Sequence, residues 1–96
     1  MKELSIVSSE FYTPEELQEY IKIGLDFPDY YGGNLSALYD CLKERAEQIT
    51  LEVDMDGFFD DTMKQYFKKV WKVCEDAAEE NELLEFSVIL PKEEEG

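Results

Sequence analysis

Chemistry in this chain would have to run on carboxylates, because its 96 residues include 24 Asp and Glu, 9 Lys and Arg, and no histidine. Without an imidazole there is no Ser-His-Asp or Cys-His nucleophile system, no ordinary proton switch near neutrality and no His ligand for zinc. Two acids working alone, as in glycoside hydrolysis, must face each other across a sugar-sized cleft, and a domain of this size leaves little room for one. An enzyme is therefore not expected, and no cofactor or metal is implied. The segment Glu52-Val53-Asp54-Met55-Asp56-Gly57 sets alternating acids ahead of a glycine in the manner of a calcium loop. The position that should supply a closing bidentate glutamate is Met63, so an acidic strand end and turn is the plainer reading.

The acids are unevenly placed. Lys64, Lys68, Lys69 and Lys72 occupy the first half of a long helical pattern, while Glu75, Asp76, Glu79 and Glu80 crowd its last turns. Carboxylates near a helix C-terminus oppose the macrodipole by about 0.3–1 kcal/mol each at low salt. Pairs such as Lys72 with Glu75 and Asp76 offset part of that cost. The remainder reads as an acidic patch kept for a cationic partner. A net charge of −15 and a pI near 4.1 point the same way. Phosphate binding needs clustered Lys and Arg, which excludes nucleic acid as a direct ligand, whereas a basic protein is electrostatically complementary.

These residues must be positioned by elements that the sequence marks clearly. Leu4 to Val7 reads as a first strand, ended by Ser8 and Ser9. Thr13-Pro14-Glu15-Glu16 combines an N-cap hydroxyl, a proline at the first helical position and a glutamate placed for a capping box. Leu17, Tyr20, Ile21 and Leu25 share one side of that first helix, and Gly24 with Pro28 is read as its stop. A loop with paired tyrosines and glycines follows, then Asn34 as N-cap of a second helix running to about Glu47. Leu35, Leu38, Leu42 and Ala46 form its apolar face with Cys41 beside it; Ser36, Asp40, Lys43 and Glu47 lie opposite, and Tyr39 at the boundary. Ile49 to Val53 alternates as a second strand. A connector over 54–61 is expected to tuck Phe58 and Phe59 inward around a short helical turn. From about Asp61, Met63, Tyr66, Phe67, Val70, Cys74, Ala77 and Ala78 recur at helical spacing, and Phe86 to Leu90 gives a last strand.

Strands separated by helices pair in parallel through right-handed crossovers. The expected class is α/β, a small three-stranded parallel sheet packed by three to four helices. One domain over 1–91 is expected, followed by a solvated acidic tail over 92–96. Cys41 and Cys74 fall on helix faces that supply core residues, so reduced core thiols are expected instead of a disulfide. No basic and apolar signal segment and no bilayer-length apolar run is present, which makes the cytoplasm the expected location and a membrane partner excluded.

The run Phe27-Pro28-Asp29-Tyr30-Tyr31-Gly32-Gly33-Asn34-Leu35-Ser36-Ala37-Leu38-Tyr39-Asp40-Cys41-Leu42 resembles the barstar family, intracellular bacterial inhibitors of secreted ribonucleases such as barnase. The order of elements agrees across nearly the whole chain. The resemblance implies that the loop and second helix fill the active-site cleft of a basic ribonuclease, with carboxylates in place of RNA phosphates. It assigns Asp40 to the phosphate pocket, Tyr30 to the enzyme's catalytic histidine, and Tyr39 to a position the family fills with tryptophan. Gly32 and Asn34 shape the loop, and Asp76 and Glu80 add acids from the last helix. Ser36 replaces a second interfacial aspartate, while Lys43 and Arg45 replace a threonine and a tryptophan. These changes add positive charge beside the contact face and imply a cognate nuclease other than barnase, or another basic toxin. The segment 81–85 is longer than the family's turn, which leaves the register of the last strand open. A monomer is expected when the partner is absent. Two alternatives carry less: an acidic nucleic-acid mimic regulating another basic protein, and an acyl-carrier-like protein modified at Ser36. Carriers are all-helical, and their attachment serine directly follows an aspartate.

Overall fold

The computed structural model describes residues 2–29 and 31–90. Along the chain lie β1 (Lys2–Val7), a 3-10 turn (Ser8–Glu10), α1 (Pro14–Gly24), α2 (Leu35–Glu44), β2 (Ile49–Asp54), α3 (Asp61–Glu80) and β3 (Leu84–Ile89). The strands form one parallel sheet in the order β1-β2-β3, with Leu4, Leu51 and Phe86 in register and Ile6, Val53 and Val88 one step on. This is the expected α/β class, with three α-helices. The parallel sheet sets aside the acyl-carrier resemblance. No helix among the described residues is long and apolar enough to cross a membrane.

Strand alternation decides which sheet face is covered. Ile49, Leu51 and Val53 of the central strand are buried and share a core with Leu17, Ile21, Leu38, Leu42, Phe67, Val70 and Cys74 from the three helices. The opposite face carries Glu3, Thr50 and Glu85 in one row and Ser5, Glu52 and Ser87 in the next. Its edge-strand residues are exposed. The helices therefore cover one face only, as half-polar alternation requires.

Each helix starts where the sequence says. Thr13 and Glu16 close a full capping box, Asn34 accepts the Ala37 N–H at 2.8 Å, and Asp60 accepts the Met63 N–H at 2.9 Å. The ends differ more. α1 does end at Gly24, as expected, but the glycine is not the left-handed residue of the turn: a Cβ there would lie 2.5 Å from Leu4 Cδ1, so its role is close approach of helix to strand. The reversal falls on Asp26, at φ 55°, with Asp26 N–H on Ile23 O and Phe27 N–H on Lys22 O. That is a Schellman closure with Asp where Gly is usual. α2 stops at Glu44, because Arg45 is extended (φ −65°, ψ 135°), so Ala46 lies beyond the helix and is exposed.

Three further expectations are corrected. The connector has no helical turn, and only Phe58 packs inward, its ring centroid 5.7 Å from that of Phe67; Phe59 is 61% exposed and meets Tyr12 edge-on. The helical turn falls instead at Ser8–Glu10, tied to the connector by Asp56, which accepts from the Ser9 N–H and hydroxyl. Cys74 is a core thiol that burial pushes up to about 12, but Cys41 is only half-buried; both are free. The proposed tail lies outside the described residues.

β3 begins at Leu84, two residues earlier than expected, because Asn81 organises the turn before it. Its buried side-chain amide donates to Leu42 O at 2.9 Å and Arg45 O at 3.0 Å, and its Oδ1 accepts the Leu83 N–H at 3.0 Å. One side chain thus satisfies the open end of α2 and sets the register of β3. Asn81→Ala should cost about 2–4 kcal/mol, since buried polar groups are left unpaired. Urea unfolding would measure it, and a loss below 0.5 kcal/mol, a bound at about the level of an ordinary surface change, would contradict the role.

Candidate functional site

α2 presents its polar side outward beside α3. Ser36 and Asp40 are exposed, and Tyr39 and Lys43 are half-buried, the Lys43 ammonium standing 5.0 Å from the Tyr39 ring centroid. Two clefts meet at this helix. One, of about 420 Å³, is lined by Pro28, Tyr31, Gly32, Ala37, Asp40, Cys41, Glu44 and Arg45. The other, of about 430 Å³, lies between α2 and α3 and is lined by Leu35, Ser36, Tyr39, Asp40, Val73 and Asp76. Asp40 belongs to both and makes no hydrogen bond or ion pair among the described residues. It is an exposed anion on the ridge between two concavities.

The expected residues divide accordingly. Gly32, Ser36, Tyr39, Asp40 and Asp76 line the clefts, Asn34 caps α2 at their upper end, and Lys43 lies one turn below Tyr39. Glu80 is exposed one turn beyond Asp76 and lines neither cleft. Tyr30 lies outside the described residues. Asp76 accepts from Lys72 at 3.2 Å, and that hydrogen bond, with the charge of Asp76, raises the Lys72 ammonium. The pair is exposed, so a stronger cation can displace it at little cost.

The loop between α1 and α2 is anchored at both ends, by residues that local sequence patterns do not reveal. At its start, Arg45 reaches back from the end of α2. Its guanidinium donates to Leu25 O at 3.0 Å, to Asp26 O at 3.4 Å and to Glu47 Oε1 at 2.6 Å, and lies 5.6 Å from the Phe27 ring centroid. The hydrogen bond from Arg45 lowers the Glu47 carboxyl. Arg45 thus lines the first cleft, as its expected place beside the contact face requires, but its charge is compensated by Glu47 and its guanidinium is bonded to the loop. Toward its end, the Tyr31 hydroxyl donates to Gln18 Oε1, and Gln18 Nε2 donates to the Tyr66 oxygen at 2.6 Å. Gln18 is 4% exposed, and burial raises both phenols, so both stay neutral. Burial likewise raises the Cys41 thiol, against a lowering by Arg45, and leaves it a poor nucleophile.

Gly33, at φ +67°, makes the final turn into the Asn34 cap. Gln18, Arg45 and the Asn34 cap therefore tie the described ends of the loop to the helices. Gln18→Leu should lower stability by about 1–3 kcal/mol, because the buried Tyr31 hydroxyl loses its acceptor. It should also speed amide exchange across 27–34. Exchange unchanged in that loop, with stability lowered, would mean that Gln18 supports the core alone.

Comparison with known proteins finds a family and a relative for this chain. The family described as Barstar (barnase inhibitor) matches residues 1–91. A Bacillus subtilis (strain 168) protein named "Putative ribonuclease inhibitor YrdF" is 37% identical over 81 residues, covering 83% of this chain and 89% of that protein.

Proposed function

The chain belongs to the barstar family, and on that basis we propose that it inhibits a basic ribonuclease by seating α2 and its preceding loop in the enzyme's substrate cleft. The observation that carries the reading is Asp40, an exposed carboxylate with no partner among the described residues, standing between two clefts on the face of the acidic helix pair. A ribonuclease must gather cations to bind a phosphodiester, and a fixed carboxylate can occupy the same place without offering a bond to cleave. Inhibition then requires shape and charge alone.

The neighbours take distinct parts. Tyr39 provides flat apolar surface beside the anion, Asp76 adds a second carboxylate from α3, and Tyr30 keeps the contact with the enzyme's histidine that the family resemblance implies. Gly32 leaves room for the enzyme to approach the loop backbone, and Asn34 holds the start of α2. Ser36 offers a neutral hydrogen-bonding group, and Lys43 extends over Tyr39. Glu80, outside both clefts, acts on approach more than on contact. With Arg45 compensated by Glu47, Ser36 and Lys43 become the departures that select a cognate nuclease distinct from barnase. In the cytoplasm, such a protein protects the cell that makes the enzyme.

Asp40→Ala would strand the nuclease cations in a closed interface. The expected loss of binding is about 2–5 kcal/mol or more, a range drawn in part from barnase and barstar themselves. The free protein should change by less than about 0.5 kcal/mol, because the group is exposed and unpaired. Inhibition constant and urea midpoint together decide: weakening below tenfold, or loss of the fold, removes Asp40 as the anchor.

Charge steering makes a separate expectation. The association rate with the nuclease should fall steeply, by roughly tenfold or more, from low to near-physiological salt, while dissociation changes much less. Stopped-flow mixing would test this, and a salt-independent association rate would overturn it.

A further inference from the structure

The two edges of the sheet are finished differently. In a parallel ladder, alternate residues bond to one neighbour and the residues between them point their N–H and C=O the other way. Lys2 N–H bonds Gln48 O on the β2 side, so Ser5 directs its carbonyl outward. That carbonyl is covered: the Tyr20 hydroxyl donates to it at 2.7 Å. On β3, Leu83 O accepts from Ile49 N–H and Ile89 O accepts from Met55 N–H, so the odd-numbered residues face β2. Phe86 and Val88 therefore direct their backbone groups away from the sheet. Among the described residues, no side chain donates to or accepts from them.

Beside that open edge runs a groove of about 370 Å³. Its walls include Trp71 and Ala78 of α3 and the helix-side faces of Phe86 and Val88, all half-buried. Glu75 and Glu79 stand at its rim, and no basic side chain lines it. On the other face of β3, Glu85 is exposed in the same row as Glu3. A strand added here would set alternate side chains over the apolar groove and the intervening ones beside Glu85.

We propose that the free edge of β3 is a docking site for an extended segment of another protein in which apolar residues alternate with Lys or Arg. Main-chain pairing would come from Phe86 and Val88, and side-chain selection from the groove and its acids. A second copy of this chain fits poorly, since each carries a net charge of −15 and the edge would bring Glu85 against like charge. The site lies on the flank of α3 that faces β3, whereas Val73 and Asp76 face α2. It is independent of the ribonuclease face.

The test uses the full chain and an end-blocked heptapeptide of alternating lysine and valine. Trp71 is the sole tryptophan, so its emission reports occupancy directly. A saturable emission change is expected, with slowed exchange of the Phe86 and Val88 amides. Glu75→Lys with Glu79→Lys should weaken binding at least tenfold, and Asp40→Ala with Asp76→Ala should change it less than twofold. A peptide N-methylated at alternate amides on its pairing edge should also bind at least tenfold more weakly. No emission change at millimolar peptide, equal binding of the methylated peptide, or loss of binding in the Asp40 and Asp76 variant alone would each overturn the proposal. So would sedimentation showing a dimer that Val88→Lys dissolves, since a second copy would then be the occupant.

Discussion

One-sided burial is the constraint on which the rest of this structure depends. Ile49, Leu51 and Val53 turn one way from the central strand and are closed over by three helices, while Thr50, Glu52 and Asp54 turn the other way. A chain with 24 acids and 9 bases has few cations to pair buried carboxylates, and those of its described strands and α-helices lie on the open sheet face and the outer sides of the helices. Their mutual repulsion must be outweighed by apolar packing, and each fully buried Leu, Ile, Val or Phe contributes about 1.5–3 kcal/mol toward that. The acids on α2 and α3 are a surface the core can tolerate. Their concentration beside two clefts is what charge balance alone does not explain.

An exposed anion is a useful ligand only if it is already where the partner's cations will be. Holding a loop in its bound shape before contact removes an ordering cost from association. The chain from Leu25 to Asn34 carries little regular structure, yet it is tied down at three places: the Arg45 guanidinium on Leu25 O and Asp26 O, Gln18 between Tyr31 and Tyr66, and the Asn34 cap. One of these ties comes from α1, an element that does not otherwise belong to the face: Gln18, itself held by Tyr66 of α3. α1 and α3 thus fix the loop from behind, which leaves its outer surface free.

Local chemistry was legible in the sequence, and distant chemistry was not. Thr13, Asn34 and Asp60 each act within three residues, so the starts of all three helices follow from the order of side chains alone. The alternation of β2 and the periodicity of α3 are equally local. Gln18 offers no such signal, because its burial depends on Tyr66, 48 positions away. Asn81 likewise depends on Leu42 and Arg45, 39 and 36 positions back. Gly24 marked the end of α1 for a reason that was not local: a glycine near a helix end usually supplies the left-handed turn, but this one answers to Leu4 in another element, and the left-handed residue is Asp26. The motif around Asp40 was readable because it resembles a family's string, although the two clefts that flank its carboxylate depend on the loop before α2 for one and on α3 for the other.

The placement of Lys and Glu along α3 follows from this division of the surface. Among the described residues, Lys72 pairs with Asp76, one of the acids lining the proposed recognition face, and the pair is solvent-exposed. An exposed pair of this kind is worth little to the fold, about 0–1 kcal/mol, and its carboxylate is surrendered readily to a better partner. The acids that follow it have no basic residue in the last turn to balance them, and they oppose the helix dipole throughout. A cation arriving from outside removes both penalties at once, by supplying the missing countercharge at the negative end of the helix. On the proposed reading, the same carboxylates that slightly weaken α3 in isolation would raise the gain on binding, because the complex would relieve a repulsion that the free protein already bears.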